Sequence, residues 1–381
     1  MSNQARIDVL QGNSACIEGA LLAGCSFFAC YPITPSNEIA EEASAKLPKH
    51  GGRFIQMEDE MGAILSLIGA SWGGAKPMTA TSGPGFCLMQ EAIGWAALSE
   101  TPLVIAEVQR GGPASGQSTS PSQGDVFQMR YGSNGDYPII VLAPSTSQDT
   151  LDLTITAFNY AEKYRTPVVI ASDEIVAHTR EKVRIPARED VQIINRKQPP
   201  ASAKGHYLPF QADEDDVPPM ATFFQGFKAP ILSQLHGADG YRAKGQADAA
   251  AMLERLHRKI EGHVDEITIV EESCLEDAEV AFLSYGSVSR AVKHAVHLAR
   301  EKGIKAGSIQ LKTLWPFPTE YVRKLSRRIP HLIVPEMNLG KMVKEVRLAA
   351  DRNCTVTSFP KVGGVCHTPN ELLAFLERGK S

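Results

Sequence analysis

Residues 27–47 read FFACYPITPSNEIAEEASAKL, an apolar run followed by a proline-bearing turn and a stretch with helical periodicity. The run FFAC predicts a buried strand, and NEIAEEASAKL predicts a helix. Tyr31–Ser36 therefore lies where a strand ends and a helix begins. In open α/β sheets this edge is where ligands bind, so the turn is a candidate site.

The same alternation of short β-rich runs and helical patterns occurs in the N-terminal part and again in the C-terminal part of the chain. It predicts an α/β fold built on a parallel sheet with helices on both faces. The pattern is interrupted by a Pro-, Gly- and charge-rich region with one helical stretch at 247–261. We therefore expect three parts, at residues 1–190, a connecting segment at 191–269, and a smaller doubly wound unit at 270–381.

Composition excludes several classes of function. The 381 residues carry a formal net charge of -4 and a pI near 6.2, without the clustered Lys and Arg that nucleic-acid binding needs. Neither a signal peptide nor a membrane-spanning stretch is visible, so we expect a cytoplasmic protein away from membranes. Seven scattered cysteines form no CxxC pair, and we expect no metal site or iron–sulfur cluster in this chain.

The acidic triplet Glu58–Glu60 opens the apolar helical stretch MGAILSLIGASWGG. A carboxylate that points inward from this position loses hydration, which raises its pKa and lets it exchange a proton with a ring nitrogen. The alternative is that these carboxylates only complement the positive end of the helix dipole.

Three further groups of residues are candidates for ligand binding. The turn Thr81–Gly85 (TSGPG) has glycines that let backbone approach a flat ligand. Arg110 ends a β-rich run before a Gly/Ser/Thr-rich loop suited to a mobile lid, and an arginine can hold a carboxylate through two hydrogen bonds. Thr34 and Ser36 can leave hydroxyl groups facing an anion. The alternatives are an exposed arginine beside a flexible loop and a plain helix N-cap.

Taken in order, YPITPS, EDEMGA, TSGPG, QRGGP, LKTLWPFP and PEMNLGKM closely resemble the α subunits of 2-oxoacid:ferredoxin oxidoreductases, especially those that act on 2-oxoglutarate. The likeness covers nearly the whole chain. It implies that residues 1–190 form the pyrimidine-binding domain of a thiamine-diphosphate fold. It also implies that residues 270–381 resemble the transketolase C-terminal domain.

The resemblance implies roles for individual residues. Glu60 would pair with N1′ of the coenzyme's aminopyrimidine, with Glu58 as the second candidate. Thr34 would lie against the substrate and coenzyme, Arg110 would bind the substrate carboxylate, and Ser36 would be a further substrate contact. The remaining predicted cofactor contacts are Pro32, Ile33, Thr81, Gly83 and Gly85.

The resemblance also implies partners. Family members place Mg2+, which holds the diphosphate, and an Fe4S4 cluster in a β subunit, so this chain would supply half of an active site in an (αβ)2 heterotetramer. The implied reaction is the oxidative decarboxylation of 2-oxoglutarate to succinyl-CoA and CO2, with coenzyme A as co-substrate and ferredoxin as electron acceptor, and it is reversible in principle.

Two alternatives to this function stay open at this stage. The substrate could be pyruvate or a branched-chain 2-oxo acid, because neither Lys341 nor His367 is assigned to a distal carboxylate by sequence. The chain could also be a non-catalytic assembly subunit, since one fold hosts many functions.

Overall fold

The computed structural model describes residues 5–378. The strands are β1 Arg6–Gln11, β2 Phe27–Cys30, β3 Arg53–Gln56, β4 Pro77–Thr81, β5 Leu103–Gly111, β6 Gln117–Pro121, β7 Ile140–Leu142, β8 Pro167–Asp173, β9 Arg180–Ile185, β10 Val270–Ser273, β11 Val280–Ser284, β12 Ala306–Leu311, β13 Thr313–Trp315, β14 His331–Glu336 and β15 Thr355–Pro360.

The α-helices alternate with these strands. They are α1 Gly12–Leu22, α2 Asn37–Lys46, α3 Glu60–Trp72, α4 Gly83–Leu88, α5 Gln90–Leu98, α6 Val126–Tyr131, α7 Ser147–Tyr164, α8 Glu174–His178, α9 Gln246–Glu261, α10 Val264–Ile267, α11 Val288–Glu301, α12 Thr319–Ser326, α13 Met342–Ala349 and α14 Pro369–Arg378. None of these helices is long and apolar enough to cross a bilayer.

The larger sheet has the order β13-β7-β8-β5-β4-β2-β3, with β6 paired to β5. All pairings among β2, β3, β4, β5, β7 and β8 are parallel. Alternate residues of β8 serve different cores: Val168 and Ile170 pack with α1 and α7, whereas Val169 and Ala171 pack with α3 and α5. The expected parallel sheet with helices on both faces is confirmed.

The second sheet has the order β10-β12-β11-β14-β15 and is parallel except for β10. Helices α11 and α14 cover one face, and α12 and α13 cover the other. The run that includes β12 and β13 divides between the sheets, because Thr313–Trp315 pairs antiparallel with β7 of the larger sheet. This strand and a shared apolar core tie the second unit to the first.

The chain between 191 and 269 has no strand, and its helices are α9 and α10. It is held by ion pairs to Glu100, whose side chain is fully buried. Lys259 Nζ lies 2.6 Å from one carboxylate oxygen, and Arg255 Nη2 lies 2.5 Å from the other. Burial alone would raise the pKa of Glu100, but these two cations hold it well below its ordinary value, while burial lowers the pKa of Lys259 to about 8. Both partners are therefore charged at neutral pH.

Candidate active site

The predicted turns meet at one edge of the larger sheet because they follow neighbouring parallel strands. The relevant order is β5-β4-β2-β3. Thr34 follows β2, Glu60 follows β3, Gly85 follows β4, and Arg110 lies near the end of β5. The fold thus brings together residues that the sequence keeps far apart, at the edge where α/β sheets bind ligands.

Glu60 is the first residue of α3 and is 5% exposed. Asp59 caps the helix by accepting the Gly62 N–H at 2.7 Å. Burial raises the pKa of Glu60 and outweighs the hydrogen bond from its own N–H, which lowers it, while the Asp59 charge adds a smaller increase. Glu58 is exposed, so Glu60 is the shielded carboxyl of the triplet.

Gly85 lies directly against this carboxyl group. A Cβ atom at Gly85 would come within 2.3 Å of both Glu60 Oε1 and Thr81 Oγ1, closer than any side chain can approach. The Thr81 and Ser82 hydroxyl groups are buried and have no hydrogen-bond partner in residues 5–378. The TSGPG turn therefore combines a close backbone approach with unpaired polar atoms, and both are features of a surface that contacts a ligand.

Arg110 and Thr34 are in direct contact. Arg110 is 7% exposed, and its Nη1 donates to the Thr34 carbonyl at 2.6 Å while Nη2 donates to the Ser115 carbonyl at 3.1 Å. The Nε–H has no partner among the described residues. Two fixed hydrogen bonds orient the guanidinium group, and a buried donor is left for an anion.

The other residues of the turn after β2 have different surroundings. The Ser36 hydroxyl is buried and donates to the Ile33 carbonyl at 2.8 Å, and it makes no capping bond to α2. The alternative that Ser36 is a plain N-cap of this helix is therefore wrong, because its oxygen is turned back into the loop. The expected substrate contact of Ser36 stays a prediction. Pro32 is exposed and Ile33 is partly exposed, so both are accessible to a ligand or a partner.

The loop after Arg110 is a hairpin whose second strand, β6, returns antiparallel to β5. Residues 112–119 are exposed. Beyond β6, Gln123 binds the second unit, since its N–H donates to the Met337 carbonyl at 3.0 Å and its Nε2 donates to the Tyr285 carbonyl at 2.8 Å. The second unit thus binds the segment that follows the Arg110 hairpin.

The motif PEMNLGKM supplies part of this contact between the second unit and the segment at Gln123. Buried Glu336 accepts the backbone N–H groups of Met342 and Val343 at the start of α13. Asn338 Nδ2 donates to the Gln123 carbonyl at 2.7 Å. By contrast, His367 Nε2–H donates to the Phe359 carbonyl at 2.9 Å, in the second unit.

Glu107 was missed by the sequence reasoning. It is fully buried in the middle of β5, where it accepts the Gly83 N–H at 2.9 Å. Its neighbour Asp125 lies on the loop after β6 and was missed as well. An acid within the apolar run LVIAEV is itself unusual, because a charge there must be paired or neutral, and this signal was present in the sequence.

The elements that carry the candidate residues also carry exposed large apolar side chains. Met61, Leu65, Leu88, Ile55 and Tyr31 are each between 41% and 49% exposed. Within residues 5–378 there is no group of three or more His, Cys, Asp or Glu residues placed to hold a metal ion.

Comparison with known sequences identifies the family. Residues 18–249 match the thiamine-diphosphate-binding domain of pyruvate flavodoxin/ferredoxin oxidoreductases, and residues 278–372 match core domain II of pyruvate:ferredoxin oxidoreductase. The chain belongs to the 2-oxoacid:ferredoxin oxidoreductase family. It is therefore a subunit of an oxidoreductase, and the family assignment made from the motifs is confirmed.

Relatives within this oxidoreductase family are similar over nearly the full length. The 2-oxoglutarate synthase subunit KorA of Methanothermobacter thermautotrophicus is 49% identical over 96% of both chains. The KorA subunit of Methanocaldococcus jannaschii is 49% identical over 96% of this chain and 98% of the other. The ketoisovalerate oxidoreductase subunit VorB of Methanothermobacter marburgensis is 37% identical over 90% of this chain and 89% of the other.

Solved structures agree with the sequence comparison. The 2-oxoglutarate:ferredoxin oxidoreductase from Magnetococcus marinus, with 2-oxoglutarate, coenzyme A and succinyl-CoA bound, superimposes with a TM-score of 0.94 at 33% identity. This match covers 98% of the present chain and 65% of that longer chain. A split-gene transketolase shares the fold alone, with a TM-score of 0.54 at 14% identity.

The residues present fit the thiamine diphosphate that the family binds. A shielded carboxyl at Glu60, the glycine-lined approach at Gly85 and the unpaired hydroxyl of Thr81 lie together. This set of residues suits an aminopyrimidine ring, which needs one carboxyl partner and a backbone surface that the flat ring can approach closely.

Proposed function

We propose that this chain is the α subunit of a 2-oxoglutarate:ferredoxin oxidoreductase. The enzyme converts 2-oxoglutarate and coenzyme A to succinyl-CoA and CO2 and passes the electrons to ferredoxin. The observation that carries the proposal is the contact of Gly85 with the buried Glu60 carboxyl, on the same sheet edge as the Arg110–Thr34 pair. Thiamine diphosphate, when bound, supplies the carbon nucleophile and electron sink that the decarboxylation needs.

Glu60 is the acid–base residue in this proposal. Burial raises its pKa and so favours the protonated form, and its position against Gly85 would place the carboxyl beside the wall where the aminopyrimidine would lie. Proton exchange with N1′ requires a carboxyl group in a site shielded from water. Pro32, Ile33, Thr81, Gly83 and Gly85 would form the rest of this surface.

Arg110 and Thr34 are proposed to bind the 2-oxo acid. The Arg110 guanidinium is held by two backbone carbonyls, and its free Nε–H lies beside Thr34. A carboxylate at this point would gain a charge-assisted hydrogen bond. Ser36 supports the turn that carries Thr34.

The enzyme is proposed to act as an (αβ)2 heterotetramer in the cytoplasm. The β subunit would supply the Mg2+ that holds the diphosphate and the Fe4S4 cluster that reduces ferredoxin. Met61 and Leu65, exposed apolar residues on the helix that Glu60 begins, favour such a partner, because exposed apolar surface is typical of protein interfaces. Within the α chain, residues 1–190 would form the pyrimidine-binding domain, 191–269 the connecting segment, and 270–381 the transketolase C-terminal-like domain.

The choice of 2-oxoglutarate rests on the relatives. Identity is 49% to subunits of 2-oxoglutarate synthase and 37% to a subunit of ketoisovalerate oxidoreductase. A non-catalytic assembly subunit is disfavoured because two contacts at one sheet edge, Glu60 with Gly85 and Arg110 with Thr34, are kept together with unpaired polar atoms, which a decayed site has no reason to maintain.

The test is co-expression of this chain with its β subunit, anaerobic purification, and measurement of ferredoxin reduction in the presence of coenzyme A. We expect reduction with 2-oxoglutarate, and none with pyruvate or 2-oxoisovalerate. Preference for another 2-oxo acid would refute the substrate assignment. Failure with all three acids would refute the catalytic role.

A further inference from the structure

Two carboxyl groups behind the TSGPG turn have no role in the proposed chemistry. Glu107 is fully buried on β5, aligned with Thr81 of β4, and its Oε1 accepts the Gly83 N–H at 2.9 Å. Asp125 lies beside the same turn, with Oδ2 3.6 Å from the position of a Cβ atom on Gly83. Both acids therefore lie against the turn that reaches Glu60.

One oxygen of each acid is left without a hydrogen-bond donor. Glu107 Oε2 and Asp125 Oδ2 are buried, and neither accepts a hydrogen bond from an N–H or O–H group of residues 5–378. The carboxyl groups lie within hydrogen-bonding reach of one another. Burial raises the pKa of Glu107 well above its ordinary value, with Asp125 raising it further, and burial also raises the pKa of Asp125. Two bare carboxylates would repel at this separation, so a proton between them resolves the conflict.

We propose that Glu107 and Asp125 share one proton and act as a positioning pair that holds the Gly83–Gly85 turn against Glu60. The shared proton joins the loop after β6 to β5, and the remaining Glu107 oxygen holds the turn through the Gly83 N–H. The inference rests on the proposed function only for the identity of the cofactor that the turn would contact.

The charges around the pair indicate which of the two carboxyl groups carries the shared proton. The charged and titratable groups that face the pair are Cys87 on α4, Arg110 on β5 and Lys341 ahead of α13. Both cations act on Asp125 and favour its ionised form. Glu107 has no such cation and is the proton donor. Because folding raises the pKa of Glu107, the stabilisation of the turn is present below that raised pKa and is lost as the pH rises through it.

Glu107→Gln keeps the size and the hydrogen bonds of the side chain but removes the shared proton. The amide oxygen can still accept the Gly83 N–H, and the amide N–H can donate to ionised Asp125, but this donor cannot be titrated. Glu107→Ala removes both hydrogen bonds. Asp125→Asn is the second test, because its amide can donate to an ionised Glu107 and equally removes the shared proton.

The first measurement is the Kd of thiamine diphosphate for the assembled αβ complex with Mg2+, from neutral to alkaline pH. We expect the wild-type affinity to fall about tenfold at alkaline pH, the equivalent of one buried hydrogen bond. Glu107→Gln should match the wild type at neutral pH and lack the alkaline fall. Glu107→Ala should bind about tenfold more weakly throughout.

The second measurement is the infrared difference spectrum between the isolated wild-type chain and Glu107→Gln at neutral pH. It should contain the C=O stretch of one protonated, buried carboxyl group. Absence of this band, or an unchanged alkaline fall in the amide variants, would overturn the proposal. Neither measurement uses turnover, so a complex that binds cofactor normally but leaves 2-oxoglutarate unoxidised would refute the proposed function alone.

Discussion

Gly85→Ala tests whether the Glu60 carboxyl must lie where the structure places it. The added methyl carbon would be 2.3 Å from both Glu60 Oε1 and Thr81 Oγ1. Carbon and oxygen atoms that are not bonded rarely come closer than about 3.0–3.4 Å, so both contacts must open by roughly 0.7–1.1 Å. The Glu60 carboxyl is the end of a flexible side chain and will move most easily.

The substitution is therefore expected to cost both activity and stability. A displacement of about 1 Å at a reacting group can cost about 100-fold in rate, whereas overpacking of this size costs about 1–3 kcal/mol of folding free energy. We expect kcat for ferredoxin reduction with 2-oxoglutarate to fall about 100-fold, with the complex still assembled.

The matched control is Gly69→Ala, in the same helix as Glu60, where an added Cβ would meet nothing within 4 Å. The assay is anaerobic ferredoxin reduction by the assembled complex at saturating thiamine diphosphate, alongside thermal unfolding of each variant. A Gly85→Ala enzyme with the kcat of the Gly69→Ala control would refute the reasoning. It would show that the carboxyl group tolerates displacement and is not positioned by this contact.

Further predictions concern single side chains. Glu60→Gln should abolish 2-oxo-acid oxidation while gel filtration shows normal assembly, and unchanged turnover would remove Glu60 from the mechanism. Arg110→Ala should lower kcat/KM by about 10- to 100-fold through loss of a charge-assisted hydrogen bond, and an unaltered kcat/KM would exclude carboxylate binding there. Glu100→Gln should cost about 3–5 kcal/mol of unfolding free energy in urea at neutral pH, because Lys259 and Arg255 lose their buried partner. This difference should shrink below about pH 4.5, since the lowered pKa of Glu100 gives stability that is lost as the pH falls; a constant difference would contradict it.

Local sequence signals were sufficient for the parts of the site that lie in strand-to-helix turns. The turns at Tyr31–Ser36 and Thr81–Gly85 each combine an apolar run, a Gly- or Pro-bearing break and a helical pattern, and parallel strands must place such turns at one edge. The burial of Glu60 was predictable for the same reason, because the helix that it begins is nearly apolar. The sequence predicted that Arg110 and Thr34 each end a β-rich run, and the structure brings the two residues into direct contact.

Features that depend on distant pairings were not predictable in this way. Thr313–Trp315 reads as part of a continuous β-rich run, yet it leaves its own unit to pair with β7. The ion pairs of Glu100 join residues more than 150 positions apart. No period or turn signal encodes such contacts, because they are determined by how the two units pack.

The distribution of polarity around Glu60 explains why the active site would need a second chain. On the inner side, the carboxyl group meets Gly85 and the buried hydroxyl of Thr81, which shield it and leave a polar atom unpaired. On the outer side, Met61 and Leu65 of the same helix are 47% and 43% exposed. A proton-exchanging carboxyl works best when water is excluded from both sides. An apolar surface of a second chain that covers Met61 and Leu65 would bury both residues and exclude water from the outer side of Glu60. Cofactor binding and subunit assembly are therefore expected to strengthen each other.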